Sequence, residues 1–399
     1  MFLEWYFKDA RLLRRMHWPM TLAIALLLLI GVLFVYSSCY VSEDLPVRSL
    51  YKKQMLWIAV GIVGYMALAI LDYRVLGRLA TWFYGVSLVL LVMVLLFGTR
   101  VYGARRWLML FGIGLQPSEF AKLAVLVLLA RILSRYRQPA GWLPQIIVPL
   151  VIVGIPFLLV LKEPDLGTAA VFIPPVLVMM LVAGVPWRAL AALFAVGGIL
   201  LGIVVASVVL PMKLDLEDET RQKIHEMTRL SRSQRERILV FFDSDRDPLG
   251  FGWNRRQSET AVGSGGPWGK GWRKGTANIL GFLPPSVAPT DFVYSVIAEE
   301  KGFFGSVVVL GLFAGVILFG MHAAVSTEDR LGRLLCAGVT ALLFSHVFIN
   351  IAMTIGLMPI TGLPLPLLSY GGSFTVAVLC ALGIVQSVYI RSQTIREFQ

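Results

Sequence analysis

The residues able to do chemistry stand at the ends of long apolar runs. In QPSEFAK, Glu119 and Lys122 are three apart, so a helix would carry both on one face. They form either a surface ion pair worth about 0–1 kcal/mol or a pair at membrane depth, where charge is costly and marks a pathway or a site. Asp165 follows Pro164 and precedes LGTAAVF. It either caps the next helix by accepting free backbone N–H bonds or holds a ligand. Arg105, Arg106 and Trp107 form a compact basic and aromatic group. Arginine there would grip phosphate oxygens bidentately or anchor the chain to headgroups. Asp291 opens the run DFVYSVIAEEKGFFG, either as an acid stabilised by the helix dipole or as a catalytic base. Glu299, Glu300 and Lys301 follow in that run, so the membrane part starts after them or they face a polar cavity.

The elements that would hold these groups are membrane helices. Of 399 residues, 57% are hydrophobic and only 15% charged, whereas a soluble domain is nearer half apolar and a quarter charged. A helix spans a bilayer with about 20 apolar residues. Runs of that kind occur at about 18–40, 53–71, 80–97, 118–134, 144–161, 167–184, 189–211, 291–320, 332–353 and 372–390. The fold class is therefore an all-α polytopic membrane protein of about ten helices, one membrane domain over 1–399. Its longest polar segment, 212–290, lies between the seventh and eighth helices. The basic and aromatic N-terminus precedes a run too long for a signal peptide and without a convincing cleavage site, so it reads as a retained first helix.

An even number of crossings puts both termini on one side. With the termini inside, short inner segments hold about twice the Lys and Arg of short outer ones, which favours cytoplasmic termini and an external 212–290. That segment divides in two. Its first part spaces Ile224, Met227, Leu230 and Ile238 among charges, as an amphipathic helix on the headgroups would. The second, rich in Gly and Trp, suits tight turns and close backbone approach. The formal charge of +12 falls at the edges of apolar runs, as headgroup contacts require, so nucleic-acid binding is not indicated. Cys39, Cys336 and Cys380 have no paired spacing, and His17, His225, His322 and His346 lie far apart, so no metal site is read.

GARRW…QPSEFAK, EPDLGTA, DPLGFG…QS…GSGG..GKGW, FLP….TDF.YSVIAEE.GF.G and GL.P.TGLPLPLLSYGGS, in this order, resemble the SEDS family (shape, elongation, division and sporulation) over nearly the whole chain. GWRKGTANILGFLP resembles its elongation branch, RodA, more than its division branch, FtsW. The resemblance implies a peptidoglycan glycosyltransferase that polymerises lipid II at the outer face of the cytoplasmic membrane. It implies a class B penicillin-binding protein as transpeptidase partner, among other membrane proteins of the elongation machinery. Asp291 would be the catalytic acid or base of the outer loop. Arg105, Arg106, Trp107, Glu119, Lys122, Asp165, Gln257, Ser258, Lys270 and Ser369 would bind substrate. No cofactor is implied with certainty, and a divalent cation could accompany the pyrophosphate. Two positions depart from the family pattern: Pro289 stands where a His precedes Thr-Asp-Phe, and Glu163 where a Gln is expected. The reading from another class is a flippase for the same lipid-linked precursor, with charge at the bilayer midplane and related halves. No internal repeat is visible.

Overall fold

A computed structural model describes residues 14–101, 104–110, 113–136, 143–214 and 230–397. Thirteen helices organise the site. They are α1 (Trp18–Cys39), α2 (Leu50–Ile70), α3 (Tyr73–Phe97), α4 (Pro117–Arg135), α5 (Pro144–Lys162), α6 (Leu166–Val171), α7 (Ile173–Val182), α8 (Trp187–Lys213), α9 (Arg232–Phe242), α10 (Phe251–Ser264), α11 (Val293–Ser326), α12 (Arg330–Thr354) and α13 (Gly372–Glu397). Eight of them, α1, α2, α3, α5, α8, α11, α12 and α13, are long and apolar enough to cross a membrane. The charged α4 and the broken pair α6–α7 occupy the other two expected runs. The pair breaks at Phe172, and Pro174 and Pro175 follow in the first turn of α7, where missing N–H groups cost nothing.

Burial sorts the bundle. In their most apolar stretches α13 is 78% and α12 72% buried, whereas α8 is only 6% buried and presents its side chains outward. The core therefore lies around α4, α12 and α13. Helix α13 approaches α2 closely because Gly383 has no side chain: a Cβ there would lie 2.6 Å from the Tyr65 carbonyl oxygen. Helix α3 begins at Tyr73, seven residues before the expected start. Asp72 caps it by accepting from Arg74 N at 2.9 Å, and Leu71 and Asp72 alone link it to α2.

The segments between the apolar runs carry structure that those runs do not announce. Between α3 and α4 lies a three-stranded antiparallel sheet, β1 (Thr99–Val101), β2 (Ala104–Leu110) and β3 (Ile113–Leu115), in the order β1-β2-β3. Of the expected amphipathic helix, Ile224 and Met227 fall outside the described residues, while Ile238 lies in α9. A capping box of Ser231 and Gln234 starts that helix. The stretch read as turns is helical in its first half, α10, and turns only beyond it, where Gly266, Gly269 and Gly271 have positive φ.

Helix α11 breaks at Gly302, whose φ of 66° is outside the helical region and open to glycine. The break frees backbone groups that must find partners. Lys270 N and Gly271 N donate to the Glu299 and Glu300 carbonyls, both at 3.0 Å, while Phe303 N and Phe304 N donate to Gly266 O at 2.8 Å and Pro267 O at 3.1 Å. The glycine-rich turn thus replaces the interrupted helical bonds.

Candidate active site

Asp291 lies in the turn ahead of α11 and is partly exposed. The helix begins at Val293 with Phe292 as its N-cap and without a side-chain cap, so the carboxylate is not consumed by capping. Its backbone is fixed from both sides: the N–H donates to Val287 O at 2.9 Å, and the carbonyl accepts from Asn350 Nδ2 at 3.0 Å. The opposing cation is Arg237, on α9. Its Nη1 donates to Thr361 O at 2.6 Å and Ile360 O at 3.3 Å, and its guanidinium lies over the Phe251 ring, 4.9 Å from the centroid. Gly362 sits between the carboxylate and the guanidinium, with φ +73°. A Cβ there would lie 3.3 Å from Arg237 Nη1 and 3.4 Å from Asp291 Oδ2. Burial raises the Asp291 pKa above the ordinary carboxylate range, against the pull of Arg237, a Thr290 hydrogen bond and Arg106. The Arg237 pKa is lowered, by burial first and then by the like charge of Arg106.

The second wall is made by β2 and the 163–165 turn. Strand side chains alternate in direction, and this separates the two arginines. Arg105 turns back to the end of α3, donating to Leu95 O at 3.3 Å. Arg106 points the other way and reaches Asp165, Nη1 to Oδ2 at 3.5 Å. Its Nε also donates to Glu163 O at 3.4 Å and its Nη2 to Pro164 O. Asp165 caps α6, accepting from Thr168 N at 3.1 Å and Thr168 Oγ1 at 3.0 Å. The capping reading of Asp165 therefore holds, and the same carboxylate faces Arg106. Trp107 is partly exposed, and its ring packs on Gly114, where a Cβ would meet its Cε3 at 3.3 Å.

Glu119 and Lys122 are both buried and paired at 2.8 Å, which removes the surface-bridge reading. Lys122 Nζ also lies 3.0 Å from His346 Nε2 and 5.7 Å from the Phe374 ring centroid. An ammonium only donates, so His346 Nε2 must accept and the ring proton sits on Nδ1. The pair, His346 and Phe374 line a cavity of about 20 Å³, room for one water. Asp165 connects the groups electrostatically, acting on Glu119, Arg237 and Asp291.

Other expected binding residues have different settings. Ser258 is fully buried and hydrogen-bonded to Ser295 Oγ and Thr354 O, both at 2.7 Å, tying α10 to α11 and α12. Ser369 is fully buried and accepts from Leu365 N at 2.8 Å. Lys270 binds Glu299 Oε1 at 2.7 Å, Thr276 Oγ1 at 2.6 Å and Ser264 Oγ at 2.8 Å, within the Gly302 turn. Gln257 is partly exposed on α10. Arg237, Asn350 and His346 were not expected at the site. A lone amide or imidazole in the apolar run SHVFINIAM was a signal; Arg237 had none, because its partners come from elements distant in sequence. Among the described residues, no group of three His, Cys, Asp or Glu gathers as a metal site.

Fold and site together define a polytopic helical membrane protein that lodges acids and arginines between its loops. The chain belongs to the FtsW/RodA/SpoVE family of cell cycle proteins, whose pattern matches residues 18–394. This is the SEDS family that the motifs resemble. It is 34% identical over 368 residues to the peptidoglycan glycosyltransferase MrdB of Escherichia coli K12, covering 91% of this chain and 92% of that one. It is 32% identical over 414 residues to the peptidoglycan glycosyltransferase RodA of Treponema pallidum, covering 91% and 94%. Among solved structures, it resembles a chain from a peptidoglycan synthase complex that coordinates polymerization and crosslinking, with a TM-score of 0.74, 31% identity and coverage of 94% and 98%. The rod shape determining protein RodA of Thermus thermophilus matches with a TM-score of 0.65, 28% identity and coverage of 94% and 96%.

Proposed function

We propose that this chain is a peptidoglycan glycosyltransferase of the elongation type, polymerising lipid II by inverting transfer. The observation that carries the mechanism is a carboxylate free of capping duty, Asp291, beside Arg237 and in the field of Arg106. The 4-hydroxyl of an incoming lipid II attacks the anomeric carbon of the lipid-linked chain. Its proton passes to Asp291 as the new C–O bond forms. The bond from the anomeric carbon to the pyrophosphate breaks, and the pyrophosphate leaves with the electron pair. A leaving anion needs cationic stabilisation rather than a general acid; Arg106 and Arg237 are suited to that by chemistry and by place. Burial that raises the Asp291 pKa also makes it a stronger base once ionised. Any divalent cation would add charge at the same pyrophosphate.

Cytoplasmic-membrane placement with both termini inside, and 212–290 outside, is supported by the charge bias of the short segments. A class B penicillin-binding protein is the proposed partner, and the likeness to a chain of a complex coordinating polymerization and crosslinking supports it. The deciding experiment gives purified protein labelled lipid II. Polymer from wild type and none from Asp291→Asn is expected. Polymer from Asp291→Asn at a rate near wild type would end the base assignment, and lipid II translocation without polymer would favour the flippase.

A further inference from the structure

Glu163 is an acid beside Arg106 that Arg106 does not hold. It is the residue after the last turn of α5, and its side chain is 1% exposed. The Arg106 guanidinium is occupied by the Glu163 and Pro164 backbone carbonyls and by the Asp165 carboxylate. Both Glu163 carboxyl oxygens are buried without a hydrogen-bond partner among the described residues. An ionised carboxylate left so would be very costly, and such a group keeps its proton instead. The charges that act on it are Asp165 at the start of α6 and Arg106 on β2; Lys162 precedes it in the chain at the end of α5. Arg237 and Asp291 lie across the site. With Glu163 neutral, Arg106 and Arg237 face Asp165 and Asp291, two cations against two anions. An ionised Glu163 would add a third anion where a pyrophosphate must leave.

We propose that Glu163 works as a neutral carboxylic acid that leaves the charge of Arg106 available to the leaving pyrophosphate, and that its ionisation in alkaline medium turns polymerisation down. This rests on the glycosyltransferase reading. A protonated carboxyl and a carboxamide share shape and neutrality, so Glu163→Gln keeps the state that the proposal assigns. Burial, and then the negative charge of Asp165, push the Glu163 pKa up to about 8, against the pull of Arg106.

The test compares wild type with Glu163→Gln, which is neutral at every pH, in two measurements from pH 6 to 9.5. For polymer synthesis, each protein is normalised to its own rate at pH 6.5. Wild type is expected to fall about tenfold below Glu163→Gln by pH 9, one pH unit past the midpoint. Coinciding alkaline limbs would overturn the proposal. The second measurement is the thermal melting of each detergent-purified protein, which needs no catalysis. Wild type should lose stability relative to Glu163→Gln as pH rises to about 8 and then run parallel to it. Parallel melting curves throughout would overturn the protonation itself. Diverging melting curves with no polymer from either protein would uphold the protonated Glu163 and refute the glycosyltransferase reading instead.

Discussion

Replacing Lys122 by alanine removes one half of a pair that is nearly inaccessible: the Lys122 side chain is 2% exposed and that of Glu119 4%. At such burial there is little solvent to screen the remaining carboxylate. Breaking a buried pair from one side costs about 3–5 kcal/mol. His346 Nε2 loses its donor as well, a further penalty of about 1–3 kcal/mol for a buried acceptor left unmade. Protonation of Glu119 relieves part of this, so a net loss of about 3–5 kcal/mol is expected at neutral pH. The double variant Glu119→Gln/Lys122→Ala leaves no buried charge and should recover about half of that loss. Denaturant titration followed by tryptophan fluorescence in detergent measures the four corners of the cycle. Polymer synthesis should fall sharply in Lys122→Ala while the protein still inserts. A loss below about 1 kcal/mol, the scale of an exposed pair, would refute the reasoning, as would a double variant worse than Lys122→Ala.

Asp291 must be ionised to accept a proton, and its pKa is raised above the ordinary carboxylate range. Polymerisation should therefore be lost on acidification at a pH above that range; an acid limb at an ordinary carboxylate pKa would contradict the burial argument. Lipid II binding should survive Asp291→Asn, since arginines hold the pyrophosphate; pull-down with labelled lipid II checks it. For orientation, a membrane-impermeant thiol reagent applied to intact cells should label Arg235→Cys and spare Gln393→Cys, and the reverse pattern would invert the topology. Isolation from native membranes in mild detergent should bring down a class B penicillin-binding protein, and its repeated absence would count against the partnership.

Eight of the expected crossings were legible because apolar length alone sets them, and the Glu119–Lys122 pair because helical spacing is local. Its burial was not, since that depends on α12 and α13 closing over α4. The sheet went unread because β1 and β3 are only three residues each, too short for alternation to register. Yet that alternation is what sends Arg106 to Asp165 and Arg105 away from it. Helix α10 was hidden by its glycine and tryptophan content, which signals turns more strongly than helix. Arg237 reads as one more headgroup cation until the fold carries α9 to the 360–362 backbone. Motif order identified the family and drew attention to Asp291, but not to the residue that opposes it.

The break at Gly302 has a mechanical consequence. Four backbone hydrogen bonds and the Lys270–Glu299 contact weld the glycine-rich turn to α11, the helix that begins two residues after Asp291. The glycine-rich turn and the first turns of α11 are therefore held as one unit. Asp291 stands at the edge of that unit, two residues ahead of the helix.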